Sequence, residues 1–508
     1  MNGNFLHSQL LIDTLLRMKS NSTDKNELIT ICRQEYENNP NELTILDEFQ
    51  KDYTADRALW WYTRESFLYR LMNKALRIQN IDLLYLFRFF MRDIAEQLRC
   101  HRCSSPMQLY RGQIIAKTEL NALKNSIGQL ISVNSFLSTS TNRKLALSFL
   151  QSSSVSSDDF EKILFEIQAD PETNESKPFA NITSFSYFPG EDEVLMMLGS
   201  IFRLENIDFD QKIHCSIIRL TLCGDKDHDL QDIYAYSHER LEKFTTSLYS
   251  FGQVLHGMGK LDAAERYIHR FLDELPRNQQ QDFALAYHAL GVICEEKGDY
   301  DTSLQWHQKS IDLYRKFLKS NDLRLVDVYN CLAVVYRKKN EFQKAFETYE
   351  QAMKILRQAP GNNDFKVAIC INNMGVVYYE DKKYAKALEY YQKALNIWQR
   401  YLPTNHSHFG AVYNNIGEVY RYLKQYDRAL EVHEKSLKIY EKSQSSEHQD
   451  VATTLENMGL VYEEKRDLQK SISYLEKAAN IFRKKFQSTH PDVIRVDKNL
   501  ERVRSKIK

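Results

Sequence analysis

The chain has 508 residues, a length that accommodates roughly three domains. Its 68 basic side chains equal its 68 acidic ones, so no net positive field draws it to nucleic acid or to an anionic membrane surface. Its 30 Tyr and 26 Phe are ample for packed cores and exclude wholesale disorder.

No run reaches the ~18 apolar residues of a membrane span. At the N-terminus Asp13 interrupts Leu10, Leu11 and Ile12, which makes that stretch too short and polar for a secretory signal. Eight cysteines are scattered without a disulfide framework, so a reducing cytoplasm is the expected setting. Cys100-His101-Arg102-Cys103 is a lone pair of thiols with no second pair, and reads as structural.

Residues 1–105 read as helical. Leu10, Leu11, Leu15, Leu16 and Met18 form an apolar stretch ended by the polar run Ser20 to Lys25. A second helix is predicted over 27–37, ended by Asn38-Asn39-Pro40. From Ala55 to Ala75, Leu59, Trp60, Tyr62, Phe67, Leu68 and Leu71 recur at helical intervals, and Leu84, Phe87, Phe90, Met91 and Ile94 do the same over 81–98. Both are amphipathic helices whose aromatic stripe is core.

From Gln108 the period changes. Leu109-Tyr110-Arg111-Gly112 reads as a strand ending at a glycine turn. Residues 131–140 alternate apolar and polar as one strand, followed by a short helix over 143–150 capped by Thr141 or Asn142. Further strands are predicted over 162–168, 194–197, 200–205 and 212–222. Before the second of these, Phe188-Pro189-Gly190 turns the chain and lifts Glu191 and Glu193 to the lip of Val194-Leu195-Met196-Met197. Side chains two apart in extended backbone share a side, and two carboxylates so close suit paired polar chemistry. Helices first and strands after argue for an α+β domain.

Residues 238–508 are different. Gly291, Ala333, Gly375, Gly417 and Gly459 fall 42 residues apart and open the same phrase, as in Gly375-Val-Val-Tyr. Nine residues on stands a large residue (Tyr300, Phe342, Tyr384, Tyr426, Leu468), and three further a small one (Ser303, Ala345, Ala387, Ala429, Ser471). A shorter first copy sits at Gly252, Leu261 and Ala264. A fixed period of this length signals a solenoid. The phrase is similar to tetratricopeptide repeats in the long form of kinesin light chains. The expected organisation is a helical extension over 1–54, an α+β domain over 55–224, a linker over 225–237, six repeats over 238–489 and a capping helix over 490–508.

Three motifs in the first half resemble the arginine-specific mono-ADP-ribosyltransferases, in that family's order. They are Leu-Tyr-Arg111-Gly112, Phe-Leu-Ser138-Thr139-Ser140 and Gly-Glu191-Asp-Glu193-Val-Leu. The resemblance covers about residues 55–224. It implies a helical part plus small mixed sheets around a cleft for NAD, ahead of the all-α solenoid. It also implies transfer of ADP-ribose from NAD, with NADP as the alternative donor, to an exposed arginine of a target protein. In that reading Glu193 takes the ribose 2′-hydroxyl and stabilises the oxocarbenium-like transition state. Arg111 holds phosphate or ribose oxygens, Ser138 steadies Glu193, and Gly112 lets the backbone approach the nicotinamide. Ser138, Thr139 and Ser140 line the dinucleotide. Glu191 receives the acceptor arginine, a poor nucleophile until a carboxylate positions it. Tyr187 or Phe188 either packs on the acceptor or anchors the loop. No metal set is evident, and the reaction needs none. No Gly-x-Gly-x-x-Gly follows a strand, so a Rossmann domain is not supported.

Beside the repeat glycines stand Asn330, Asn372, Asn373, Asn414, Asn415 and Asn457, placed as in kinesin light chains. Each has a donor and an acceptor, so a row of them suits the backbone of an extended peptide; bridging neighbouring helices is the other use. Three functions remain open: an arginine ADP-ribosyltransferase whose groove recruits the target, an NAD glycohydrolase, and an inactive peptide-binding scaffold.

Overall fold

The structure is a computed structural model. It describes residues 3–20, 22–152, 159–173, 177–188, 190, 192–224, 247–361, 363–403, 406–443, 448–485 and 490–507. Glu191, Pro189 and the expected linker 225–237 lie outside the described residues. The chain divides into two compact units, residues 3–267 and 268–508.

The first unit begins with α1 (Gly3–Arg17), α2 (Ser22–Glu35), α3 (Pro40–Asp52), α4 (Ala58–Thr63), α5 (Phe67–Ile78) and α6 (Ile81–Cys100). Helix α6 buries Phe87, Phe90, Met91, Ile94 and Leu98. It also buries Arg88, whose guanidinium is paired with the equally buried Asp24 of α2. Helix α3 has its start written locally. Pro40 occupies the first turn, where it loses no hydrogen bond, and Asn39 Oδ1 accepts from Glu42 N at 3.3 Å.

The helix expected over 55–75 is broken at 64–66, where Arg64 and Ser66 are extended. Glu42 explains the break. Its carboxylate accepts from Phe67 N at 3.0 Å and pairs with Arg70, so a side chain of α3 caps α5.

The strands are β1 (Met107–Ala116), β2 (Leu130–Val133), β3 (Leu137–Ser140), β4 (Phe160–Ala169), β5 (Phe179–Asn181), β6 (Glu193–Met196), β7 (Ser200–Asp210) and β8 (Cys215–Cys223). Helix α7 (Lys117–Lys124) follows β1, and α8 (Arg143–Ser152) follows β3. They form one mixed sheet in the order β2-β7-β8-β4-β1-β3-β6-β5, where small separate sheets were expected. The sheet is pinched in the middle: β1 and β3 meet only at Tyr110↔Ser140. One face carries the main core, including Leu109, Ile163, Ile167, Val194, Met196, Phe202 and Ile218. On the other, Ala146 of α8 packs with Leu164 and Ile217.

Two strand expectations change. The alternating stretch 131–140 is two strands, and its halves lie far apart in the sheet, β2 at an edge and β3 between β1 and β6. Gly112 does not end β1 but sits inside it, under α8.

Helix Leu248–Gly257, from the first repeat copy, packs within the first unit. Phe251 and Tyr267 surround Tyr85 of α6 with ring centroids 5.8 and 5.0 Å away. Arg266 and Tyr267 both reach Asp82, the tyrosine hydroxyl donating at 3.1 Å.

The second unit is a series of helix pairs: Gln280–Glu296 with Tyr300–Phe317, Leu323–Lys338 with Phe342–Gln358, Asp364–Glu380 with Tyr384–Trp398, Ser407–Tyr422 with Tyr426–Ser443, and Gln449–Glu464 with Leu468–Lys485. Helix Pro491–Ser505 follows them. Each phrase-opening residue faces a ring or branched side chain sixteen residues on. A Cβ at Gly291 would strike the His307 ring, and one at Gly417 the His433 ring. The closing helix lays Arg495 and Arg502 on Glu456 and Glu463 at 2.9 and 2.8 Å, so the end of the array is charged and paired.

The turn inside each pair needs one left-handed residue. Gly259 and Gly298 supply it early, then Asn340, Lys382, Lys424 and Arg466 at φ of 59 to 64°. A side chain there costs about 1 kcal/mol over glycine. Lys382→Gly and Lys424→Gly are each expected to stabilise the chain by about 0.5–1 kcal/mol in urea titrations, net of the extra freedom of the unfolded chain.

Three histidines, His307 and His433 buried and His288 half-buried, make the array acid-sensitive. Burial lowers His288 to about 4, against a smaller opposing pull from Asp327. Burial and then His288 lower His307 to about 3. Burial lowers His433 to about 4, with Glu418 opposing and Arg421 reinforcing. The unfolded chain takes up these protons below about pH 6.5 while the folded chain does not, so stability is full above that pH and falls as pH drops toward 4. By pH 5 the loss is about 1–2 kcal/mol per histidine. Urea titrations of the whole chain at pH 7.5 and 5 measure it. Replacing His307 and His433 by Tyr, the residue at 349 and 391 in the same position, should flatten the slope.

Candidate functional site

Strands β1, β3 and β6 are neighbours, and each brings one of the three predicted polar side chains: Arg111, Ser138 and Glu193. The register decides how they meet. Ser138 lies opposite Leu195 and Ser140 opposite Glu193, so Ser138 and Glu193 are diagonal neighbours on one face. Ser138 Oγ donates to Glu193 Oε1 at 2.7 Å. Arg111 Nη1 donates to the carbonyl of Ser138 at 2.7 Å, and its Nε to Gln113 Oε1 at 3.2 Å. Glu193 is 8% exposed.

Beside the single β1–β3 contact lies a cleft of about 270 Å³ lined by Arg111, Gly112, Ser138, Thr139, Ser140 and Glu193 together with Tyr69, Tyr110, Leu145, Ala146 and Phe149. All the described residues assigned to the dinucleotide from the sequence are therefore in one place. Their hydroxyls differ in use. Thr139 Oγ1 donates to Val194 O at 2.7 Å, and Ser140 Oγ accepts from Asn142 N at 3.1 Å. Asn142 in turn caps α8, its Oδ1 accepting from Lys144 N at 3.0 Å. Gly112 earns its place by packing: a Cβ there would collide with the carbonyl oxygen of Ala146 and with Leu150.

Sequence reasoning missed Tyr69, Phe149 and Ser186. Tyr69 belongs to an amphipathic helix and passes for core, yet it is 37% exposed and faces the cleft. Phe149, half exposed, stands on α8 in the same lining. Ser186 is buried in the loop before β6, and its Oγ donates to Glu193 Oε2 at 3.3 Å. It carries no motif and has no local signal. Behind the cleft Tyr62 is buried, its hydroxyl donating to Phe136 O at 3.4 Å. Burial, then the neighbouring Tyr69, push that phenol up, so it stays protonated.

Tyr187 and Phe188 are on the same loop and both exposed. Tyr187 N donates to Thr63 Oγ1 at 2.8 Å, and its ring lies 5.3 Å from Trp60. Among the described residues no group of three or more His, Cys, Asp or Glu is placed to hold a metal ion, and no helix is long and apolar enough to cross a membrane. The eight cysteines are free, Cys100 exposed and Cys103 half-buried.

In the second unit the six asparagines are half-buried. Several bridge neighbours. Cys370 Sγ donates to Asn330 Oδ1 at 3.1 Å, and Asn372 Nδ2 to Asn373 Oδ1 at 3.3 Å. Asn414 Oδ1 receives Asn457 Nδ2 at 3.2 Å and lies 2.8 Å from His433 Nδ1.

The tetratricopeptide repeat family matches residues 282–358, 325–400, 366–442 and 408–484. Residues 282–484 are tetratricopeptide repeats. No curated protein matches the chain. Similar solved structures include BtubC from P. vanneervenii, at 25% identity over 46% of this chain and 92% of that one, with a TM-score of 0.36. A Podosopora anserina kinesin light chain with nearly identical repeats covers 41% and 99%, at 18% identity and a TM-score of 0.33. A Rap protein complexed with competence and sporulation factor covers 55% and 80%, at 14% identity and a TM-score of 0.38.

Gly112→Ala tests the packing of the cleft wall. Overpacking of this kind costs typically about 1–3 kcal/mol, and at Gly112 the obstruction is backbone and cannot rotate away. A lowered thermal midpoint is expected; an unchanged one would mean that α8 shifts freely.

Proposed function

We propose that the chain transfers ADP-ribose from NAD to an arginine of a protein held by the repeats. The observation that supports this reading is the chain of contacts Arg111–Ser138–Glu193 across three adjacent strands, in a cleft also lined by Tyr69, Tyr110 and Phe149. NAD is the donor substrate, and NADP fits the same chemistry. The bond between ribose C1′ and nicotinamide breaks, and nicotinamide leaves with the electron pair. A guanidinium nitrogen then bonds to C1′ as its proton passes to the Glu191 carboxylate. Glu193, held by Ser138, takes the ribose hydroxyl and balances the positive charge developing on the sugar. Arg111 meets the anionic dinucleotide with a permanent charge, and Tyr69 and Phe149 offer ring faces to a planar base. Glu191, in its sequence position two before Glu193, receives the acceptor. The half-buried asparagines of the repeats hold an extended peptide of the target and raise its local concentration.

A second reading is favoured by the repeat-family match: a peptide-binding scaffold in which the first unit has no turnover. Tetratricopeptide repeats carry that reading without any chemistry in the cleft. A third, NAD hydrolysis, needs only that water takes the place of the acceptor.

Labelled NAD and a small guanidine acceptor separate the three. The intact chain is expected to transfer, Glu193→Gln to lose turnover by about a hundredfold or more, and Glu191→Gln to keep hydrolysis while losing transfer. An intact chain that neither transfers nor hydrolyses, with a peptide present, leaves the scaffold reading. Free ADP-ribose without guanidine adduct leaves the glycohydrolase.

A further inference from the structure

A carboxylate has two oxygens, and at Glu193 each has its own hydroxyl. Ser138 Oγ donates to Oε1 at 2.7 Å and Ser186 Oγ to Oε2 at 3.3 Å. The terminal torsion of a glutamate is broad, so one hydroxyl leaves the carboxylate plane free to rock about it. A second on the other oxygen sets the plane.

Ser186 is fed from behind. Its oxygen accepts from Phe188 N at 3.1 Å while its proton goes to Glu193. An accepted hydrogen bond polarises a hydroxyl and strengthens it as a donor. Between these two residues Tyr187 N donates to Thr63 Oγ1, and the Tyr187 ring meets Trp60 of α4. Thr63 is itself fixed, its Oγ1 donating to Leu59 O at 3.0 Å. The helical part of the unit is thus linked through the loop to the second oxygen of Glu193. Tyr187 and Phe188, exposed on that loop, are the side chains whose displacement would disturb the Phe188 N–H and with it Ser186.

We infer that Ser186 is a positioning residue: it orients the Glu193 carboxylate and couples that orientation to the loop bearing Tyr187 and Phe188. The inference rests on the transferase reading above. Its proof lies in kinetics on the full chain: kcat and KM for NAD with a small guanidine acceptor, hydrolysis without acceptor, and the thermal midpoint. Ser186→Ala is expected to lower kcat about tenfold, with KM for NAD within about twofold of wild type and an unchanged midpoint. Ser186→Thr, which keeps the hydroxyl, should restore kcat to within about threefold. Thr63→Val, which removes the anchor without touching the cleft, should lower kcat in the same direction by a smaller factor. Wild-type kcat in Ser186→Ala overturns the role. So does a loss that Ser186→Thr repeats in full alongside a lowered midpoint, because that marks packing alone. A wild-type chain with no turnover of NAD overturns the transferase reading itself, and the role with it. A live wild type beside an indifferent Ser186→Ala overturns only the role.

Discussion

The cleft depends on how two strands of four residues are registered. β3 and β6 pair so that Ser138 faces Leu195 and Ser140 faces Glu193. A slip of one residue would turn Ser138 away from the cleft and bury its hydroxyl, because successive side chains alternate between faces. The register is held from both sides. Val194 and Met196 are wholly buried in the main core, and Thr139 adds a side-chain hydrogen bond to the Val194 carbonyl. The polar site is thus located by apolar residues that alternate with it along the same strands.

The pinch between β1 and β3 is the second constraint. With one paired position, these strands share less backbone than any other neighbours in the sheet, and the cleft lies beside that junction. Helix α8 covers the adjoining length of β1 closely, which is possible only because Gly112 has no side chain. Arg111 and Gly112 therefore act as a pair of different kinds: one projects charge into the cleft, the other admits the helix that forms its wall.

The repeats rest on a different economy of contact, one ring against one small residue, repeated. His307, Tyr349, Tyr391 and His433 occupy the same place in successive pairs, and the residue facing them is glycine or alanine. Histidine in that place keeps its ring neutral at the expense of acid stability, where tyrosine does not titrate near neutral pH. The asparagines near the glycines are partly engaged with one another, as Asn414 is with Asn457, so a peptide in the groove would meet a row already organised by its own hydrogen bonds.

By itself the sequence determined the 42-residue repeat, the helix pairs that follow from it, the change of period near Gln108, and the three short motifs that end up around one cleft. These are local signals: a period reports which face of an element is buried, and a motif reports which side chains share a strand end. The Asn39-Pro40 start of α3 reads in the sequence only as the end of the helix before it, although a cap and a first-turn proline sit side by side. Only the tertiary structure decided that 131–140 splits between two parts of the sheet, that Glu42 breaks the helix after Thr63, that Gly112 lies beneath α8, and that Ser186 reaches the second oxygen of Glu193. Each of these is a contact between segments whose own patterns are satisfied by several partners, and the partner is chosen by packing across the whole core.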